Sequence, residues 1–166
     1  MIIREAKPAD AEQLTGVIAD AESSGFMMFD PGERKITAEQ LAKRISSMEE
    51  DESSAILLAE SAGVLAGYLF AIGNSLQRTS HIIYVAIGIS EKSRGQGVGT
   101  KLLTQLDQWA KERNVRRIEL TVMMKNRAGL ALYQKMGYKI EGIKKNSLLV
   151  DGEYIDEYYM AKVNRS

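Results

Sequence analysis

Arg94-Gly95-Gln96-Gly97-Val98-Gly99 is the stretch that decides how this chain is read. A strand-like apolar run, Ile82 to Ile89, precedes it, and an amphipathic, helix-like stretch follows. Glycine has no Cβ, so a backbone glycine-rich at 95, 97 and 99 can pass close to a bulky anion. A helix starting there presents N–H groups without intrahelical acceptors and a partial positive charge. Arg94 adds a fixed cation with forked donors. Together these features predict a pyrophosphate cradle built from the amides of Gly95, Gln96, Gly97, Val98 and Gly99, with the Thr100 hydroxyl as a further donor.

Two better-known phosphate loops do not fit. The dinucleotide pattern Gly-x-Gly-x-x-Gly finds Gly95 and Gly97 but meets Thr100 where its third glycine belongs. The P-loop needs Lys and then Ser/Thr after its last glycine, and Gly99 is followed by Thr100 and then Lys101. Both failures disfavour a nucleotide-binding module. The pattern that fits is Arg-x-x-Gly-x-Gly, through Arg94, Gly97 and Gly99. It resembles the pyrophosphate loop of the GCN5-related N-acetyltransferases (GNAT). A second segment, Asn126 to Tyr138, resembles that family's Asn-x-x-Ala-x-x-Leu-Tyr-x-Lys-x-Gly-Phe/Tyr. Gly129 stands where the family has alanine, flanked by Ala128 and Ala131.

The resemblance implies a single-domain α/β (α+β) fold over residues 1–166. Its central sheet would be mixed, mostly antiparallel, and flanked by helices on both faces. It implies acetyl-CoA as acyl donor and a primary amine as acceptor. In the family a bulge frees the backbone of the strand before the loop to pair with the pantetheine arm. Here that role falls on Ile87 and Ile89, with Gly88 as the natural bulge. The family's tyrosine, here Tyr133, assists the leaving thiolate, and its asparagine, here Asn126, contacts the arm. Asn126, Leu130 and Tyr133 share one helix face at i, i+4 and i+7. Taken from the residues alone, Tyr133 is a core tyrosine on an amphipathic helix, and only the resemblance makes it catalytic. The segment from Glu141 through Tyr158 looks like bacterial members that acetylate small amines or amino acids.

Composition sets the outer bounds. A chain of 166 residues, 45% hydrophobic and 27% charged, can bury a core of its own. Lys+Arg and Asp+Glu both number 22, so no excess charge points to nucleic acid or an anionic membrane. The chain has no cysteine, which removes a disulfide framework, a thiolate metal site and a cysteine nucleophile. Transfer is therefore expected by direct attack in a ternary complex, without a metal. The N-terminus lacks a signal-like apolar core and no apolar run is long enough to cross a bilayer, so a cytoplasmic protein, monomer or homodimer, is expected.

Periodicity supplies the elements. Ile2–Ala6 reads as a strand, and Pro8 and Asp10 open a helix carrying Leu14, Val17, Ile18 and Ala21. Thr37 and Gln40 form a capping box for a second helix carrying Leu41, Ile45 and Met48. Glu49–Glu52 reads as a solvated acidic turn. Strands are expected over 54–60, 64–73 and 81–89, the last apolar enough for a sheet centre covered on both faces. Val98, Leu102, Leu103, Leu106, Trp109 and Ala110 make a helical stripe. A strand over 117–123, a helix capped by Asn126 and ended by Gly137, and a hairpin around Asp151-Gly152 complete the order β-α-α-β-β-β-α-β-α-β-β.

The acceptor side is less determined. Phe26, Met27, Met28 and Phe29 either overhang an acceptor pocket or plug the sheet, and Tyr154, Tyr158 and Tyr159 line that pocket or a dimer contact. Where many family members carry a glutamate base, eleven positions before Arg94, this chain has Ile83. His81, Glu119 or water remain as proton acceptors. A protein N-terminal or lysine acetyltransferase, and a non-catalytic acyl-CoA-binding module, are the rival readings.

Overall fold

Local chemistry marks the element ends. The Thr37 hydroxyl accepts from the Gln40 amide at 3.1 Å while the Gln40 side chain accepts from the Thr37 amide at 3.0 Å. That reciprocal cap starts a helix at Ala38. Asn126 caps the last helix in the same sense, accepting from the Gly129 amide at 3.0 Å. Ala62-Gly63 and Asp151-Gly152 both hold two successive positive φ values, the signature of tight hairpin turns. The computed structural model describes residues 1–164. Its elements are β1 (Ile2–Glu5), α1 (Ala11–Glu22), α2 (Ala38–Glu49), β2 (Ala55–Ser61), β3 (Val64–Ile72), β4 (Ile82–Ile89), α3 (Val98–Glu112), β5 (Arg117–Met123), α4 (Arg127–Lys135), β6 (Lys139–Val150) and β7 (Glu153–Val163). The expected order holds, with ends shifted by a residue or two. A 3-10 turn at Pro8–Asp10 leads into α1.

The seven strands form one mixed sheet in the order β1-β2-β3-β4-β5-β7-β6. Every neighbouring pair is antiparallel except β4 and β5, which run parallel and are joined through α3. Helices cover both faces. On one face α1 and α2 bury Leu14, Ile18, Leu41 and Ile45 against Ile56, Leu58, Leu65 and Tyr68. On the other, Val98, Leu102, Leu103, Leu106 and Trp109 of α3 pack with Leu57, Leu69, Ile83, Val85, Ile118 and Leu120. Each such side chain contributes about 1.5–3 kcal/mol of transfer free energy.

Two expectations about β4 need correction. It is not covered on both faces along its length: Ile83 and Val85 are buried, but Tyr84 is 43% exposed and Ala86 is exposed too. The reason is the reach of the first two helices. α1 contacts β3 and β4, and α2 contacts β2, so the side chain of Tyr84 stands at their margin. Nor does Gly88 bulge. Register with β3 runs unbroken from Gly67↔Ile89 to Ile72↔Tyr84. A Cβ at Gly88 would lie 2.4 Å from the Tyr68 ring, so this glycine makes room for a buried aromatic. The strand is freed instead on its other side. Pairing with β5 covers Ile82 to Tyr84 and stops there.

Candidate active site

The divergence of β4 from β5 opens the site. The Ser90 amide donates to the Ala66 carbonyl at 2.9 Å. Bonding alternates along an antiparallel ladder, so Ala86 and Gly88 turn their backbone groups toward β3. Val85, Ile87 and Ile89 turn theirs away from it, into the gap left by β5. The sequence assigned the free backbone to Ile87 and Ile89, and they face that gap although no bulge puts them there.

Past Ile89 the chain makes a 3-10 turn at Glu91–Ser93 and enters the glycine loop. Gly95 and Gly97 have φ of +74° and +79°, and a Cβ on either would meet nothing within 4 Å. Both face open space in a conformation that L side chains resist. Gly97 is the N-cap of α3, and the first helical bond runs from the Lys101 amide to the Gly97 carbonyl at 3.1 Å. Among the described residues, the amides from Gly95 to Thr100 donate to no backbone carbonyl or side chain. Six consecutive unpaired amides, the α3 N-terminus and Arg94 thus lie together on one short loop, which suits an anion. Gly99 serves packing. A Cβ there would come within 2.6 Å of Leu132, so it lets the first turn of α3 approach α4.

A cavity of about 580 Å³ runs from this loop along the end of β4 to α4. Of the residues expected around the donor, Ile87, Ile89, Arg94, Gly95, Gly97, Val98, Gly99, Thr100, Asn126 and Tyr133 line it. Gln96 and Leu130 do not. The Gln96 side chain turns back to donate to the Lys92 carbonyl at 3.1 Å. Leu130 packs against the core. Ala128, Gly129, Ala131, Leu132 and Tyr133 of α4 line the cavity, and a Cβ at Gly99 would meet Leu132. Ser93 and Lys135 also line it and were not singled out in the sequence. The Asn126 side chain folds over Gly129, where a Cβ would lie 2.6 Å from its Nδ2.

Tyr133 is 9% exposed, and its ring meets that of Tyr138 edge-on at 6.0 Å. Burial, with a smaller contribution from the Tyr84 phenol, pushes its pKa well above the usual tyrosine range. Near neutral pH the phenol therefore keeps its proton and is available as a hydrogen-bond donor.

On the acceptor side Phe26 and Met27 line the cavity, joined by Ala21 and Ser24. Phe29 does not. Its ring lies under the Arg34 guanidinium at 4.6 Å, and Arg34 pairs with the buried Glu22 at 2.9 Å, tying the loop to α1. Tyr154 lies outside the lining, 67% exposed opposite Leu149 near the β6–β7 turn. The candidate proton acceptors fare differently again. Ile83 is core at 1% exposure. Glu119 pairs with Arg117 at 2.7 Å, and exposed His81 is outside the cavity lining. Among the described residues no group of three or more His, Asp or Glu side chains converges as a metal site. Among the described residues, no helix is long and apolar enough to cross a membrane.

Comparison with known proteins agrees with this geometry. The sequence model of the Acetyltransferase (GNAT) family matches residues 19–138. An L-amino acid N-acetyltransferase, AaaT, of Escherichia coli (strain K12) is 30% identical over 98% of both chains. The crystal structure of a GNAT-family acetyltransferase from Streptococcus pneumoniae superposes with a TM-score of 0.92 at 30% identity, again covering 98% of each chain. At 19% identity, the fold of yncA, a putative acetyltransferase from Salmonella typhimurium solved with its cofactor acetyl-CoA, matches with a TM-score of 0.87, covering 98% of this chain and 92% of that one. The glycine loop, the split between β4 and β5 and the tyrosine of α4 are therefore carried by a member of the GNAT acetyltransferase family.

Proposed function

We propose that this protein transfers the acetyl group of acetyl-CoA to the primary amine of a small molecule, an amino acid, polyamine or related amine, by direct attack in a ternary complex. The observation that carries this reading is the cavity that runs from a loop of six free amides and Arg94 to the buried Tyr133. The residues fit acetyl-CoA. Amides 95–100 and Arg94 would hold its pyrophosphate, and the outward backbone of Ile87 and Ile89 would pair with the amides of its arm. When bound, acetyl-CoA supplies a thioester, an acyl group on a good leaving thiol.

Tyr133 donates a hydrogen bond to the departing sulfur and stabilises its developing charge. A nitrogen–carbon bond forms as the carbon–sulfur bond breaks. One amine proton goes to solvent, and the sulfur leaves as a thiolate that takes up a proton from solvent to give CoA thiol. Glu119 is held by Arg117, Ile83 is in the core, and among the described residues no Asp or Glu lines the cavity to take that proton. An amine of pKa ~10.4 costs roughly 4–5 kcal/mol to neutralise at pH 7, so the rate should rise with pH. The small-molecule assignment draws on the similarity to the E. coli L-amino acid N-acetyltransferase and on the Phe26–Met27 rim. A cytosolic location and a monomeric or homodimeric state belong to the same proposal.

The test is free CoA release from acetyl-CoA in the presence of L-amino acids, polyamines and peptides in turn. Small amines should be turned over. Turnover confined to peptides would favour a protein acetyltransferase, and acetyl-CoA binding without turnover of any amine would favour a binding module.

A further inference from the structure

Tyr84 is a tyrosine in the middle of an otherwise apolar strand, and nothing in the chemistry described so far uses it. It lies on the α1/α2 face of the sheet, at the last β4 residue paired with β5. Its hydroxyl is 3.2 Å from Thr121 Oγ1, two residues beyond its β5 partner Glu119. The phenol therefore leans along β5 toward the mouth of the gap between the strands. Tyr133 reaches the same gap from α4, packed with the core on the opposite face. Tyr84 and Thr121 are not among the residues that line the cavity; they bridge β4 and β5 where the pairing of the two strands ends. Neither Tyr84 nor Thr121 is needed by the core, since Tyr84 is 43% exposed and Thr121 is half-buried.

Resting on the acetyl-transfer reading, we propose that the Tyr84–Thr121 hydroxyl pair is the acceptor-side anchor of the reaction. It hydrogen-bonds the incoming primary amine and aims its lone pair at a thioester held between the strands. One hydroxyl of the pair donates to the other, which fixes the phenol and leaves an oxygen lone pair free to accept from an amine N–H. The two tyrosines then address opposite ends of the bond change, Tyr84 at the nitrogen and Tyr133 at the sulfur. Such positioning raises kcat more than it tightens donor binding. It needs no carboxylate, which accords with the buried Ile83 and the occupied Glu119.

The experiment measures acetyl transfer to L-leucine and to butylamine by wild-type protein, Tyr84→Phe, Thr121→Val, Thr121→Ser and the Tyr84→Phe/Thr121→Val double variant. Tyr84→Phe should lower kcat/KM for the amine roughly 5- to 10-fold and leave the acetyl-CoA KM within about twofold. Thr121→Val should lose part of this, and Thr121→Ser, which keeps the hydroxyl, should recover it. The double variant should be little worse than Tyr84→Phe, because the two groups act as a unit. Wild-type kcat/KM in Tyr84→Phe, strictly additive losses, or equal rises in both KM values would overturn the pair while leaving the acetyltransferase reading standing. No CoA release by wild-type protein with either amine, or with the wider amine panel, would remove that reading and this anchor together.

Discussion

Replacing Gly97 by alanine separates the anion-binding role of the glycine loop from its role as a turn. Gly97 has φ +79° and an added Cβ meets no atom within 4 Å, so the substitution creates no clash. It costs the left-handed penalty of an L residue, about 1–2 kcal/mol. For a chain of this size that is a fall in Tm of roughly 2–8 °C. Gly63, in the turn between β2 and β3, is the matched control: φ is +80°, its surroundings are equally empty, and it is outside the cavity lining. The two alanine variants should therefore lose similar stability. Only at 97 does the new methyl lie on the loop of six unpaired amides that borders the cavity. Holding a pyrophosphate off two or three of them forfeits about 1–2 kcal/mol at 0.3–1 kcal/mol per contact, or roughly 5- to 30-fold in Kd. A loop that relaxes out of the left-handed conformation loses the same contacts. Calorimetric titration with acetyl-CoA should show that loss in Gly97→Ala and an unchanged Kd in Gly63→Ala. Equal affinity in both folded variants would refute the loop as the pyrophosphate site.

Tyr133→Phe should retain acetyl-CoA affinity within about twofold and lower kcat by ~10-fold or more, measured where chemistry limits the rate. Phe26→Ala should raise the acceptor KM about 5- to 10-fold with little change for acetyl-CoA, while Phe29→Ala, whose ring stacks on Arg34, should act more weakly. Gly88→Ala drives a methyl into the Tyr68 ring and should destabilise the fold by about 1–3 kcal/mol in urea titration. Hydrogen bonding to Arg4 holds the Asp10 carboxyl below the usual range, and Arg117 does the same for Glu141. A depressed folded pKa contributes stability above the unfolded value and loses it as pH falls through the folded one. Stability should accordingly drop on acidification below about pH 4, and Asp10→Asn should make that acid limb shallower.

The parts legible in the sequence were those fixed by local rules. The Thr37–Gln40 cap, the Asp151-Gly152 turn and the α3 stripe depend on residues a few positions apart, and each stands where its pattern put it. The glycine loop was legible for the same reason, since its conformation follows from the residue types within it. Leu130 was misplaced because helical spacing defines a face but not its direction. Asn126 and Tyr133 of that face line the cavity, whereas Leu130 between them packs against the core. Phe29 was misplaced because its partner is a cation five residues on whose own carboxylate lies back in α1. Tyr84 was passed over because its contact crosses the parallel β4–β5 pair, whose register depends on how α3 returns the chain. A polar-tipped aromatic inside the run Ile82–Ile89 was the signal that could have found it.

The strand whose sequence looks most regular is also the one whose pairing fails. Uninterrupted apolar character from Ile82 to Ile89 predicts a strand satisfied on both edges, yet β4 shares its β5 edge only as far as Tyr84. Backbone groups pointing into the gap beyond must find partners in water or in a ligand. Filling the gap with a longer β5 pairing would satisfy them within the fold and close the cavity. The defect lies next to the glycine loop because β4 runs on from Tyr84 to Ile89 without β5, while β5 stays paired with β7 through Met123. The side chains of Ile87 and Ile89 still pack on the core and keep the open strand in place. Its alternation gives the α1/α2 face Tyr84, Ala86 and Gly88, the last small enough for the buried ring of Tyr68. One strand thus anchors to β3 with one set of backbone groups and offers the other to the gap, while its side chains divide between the core and the acceptor side.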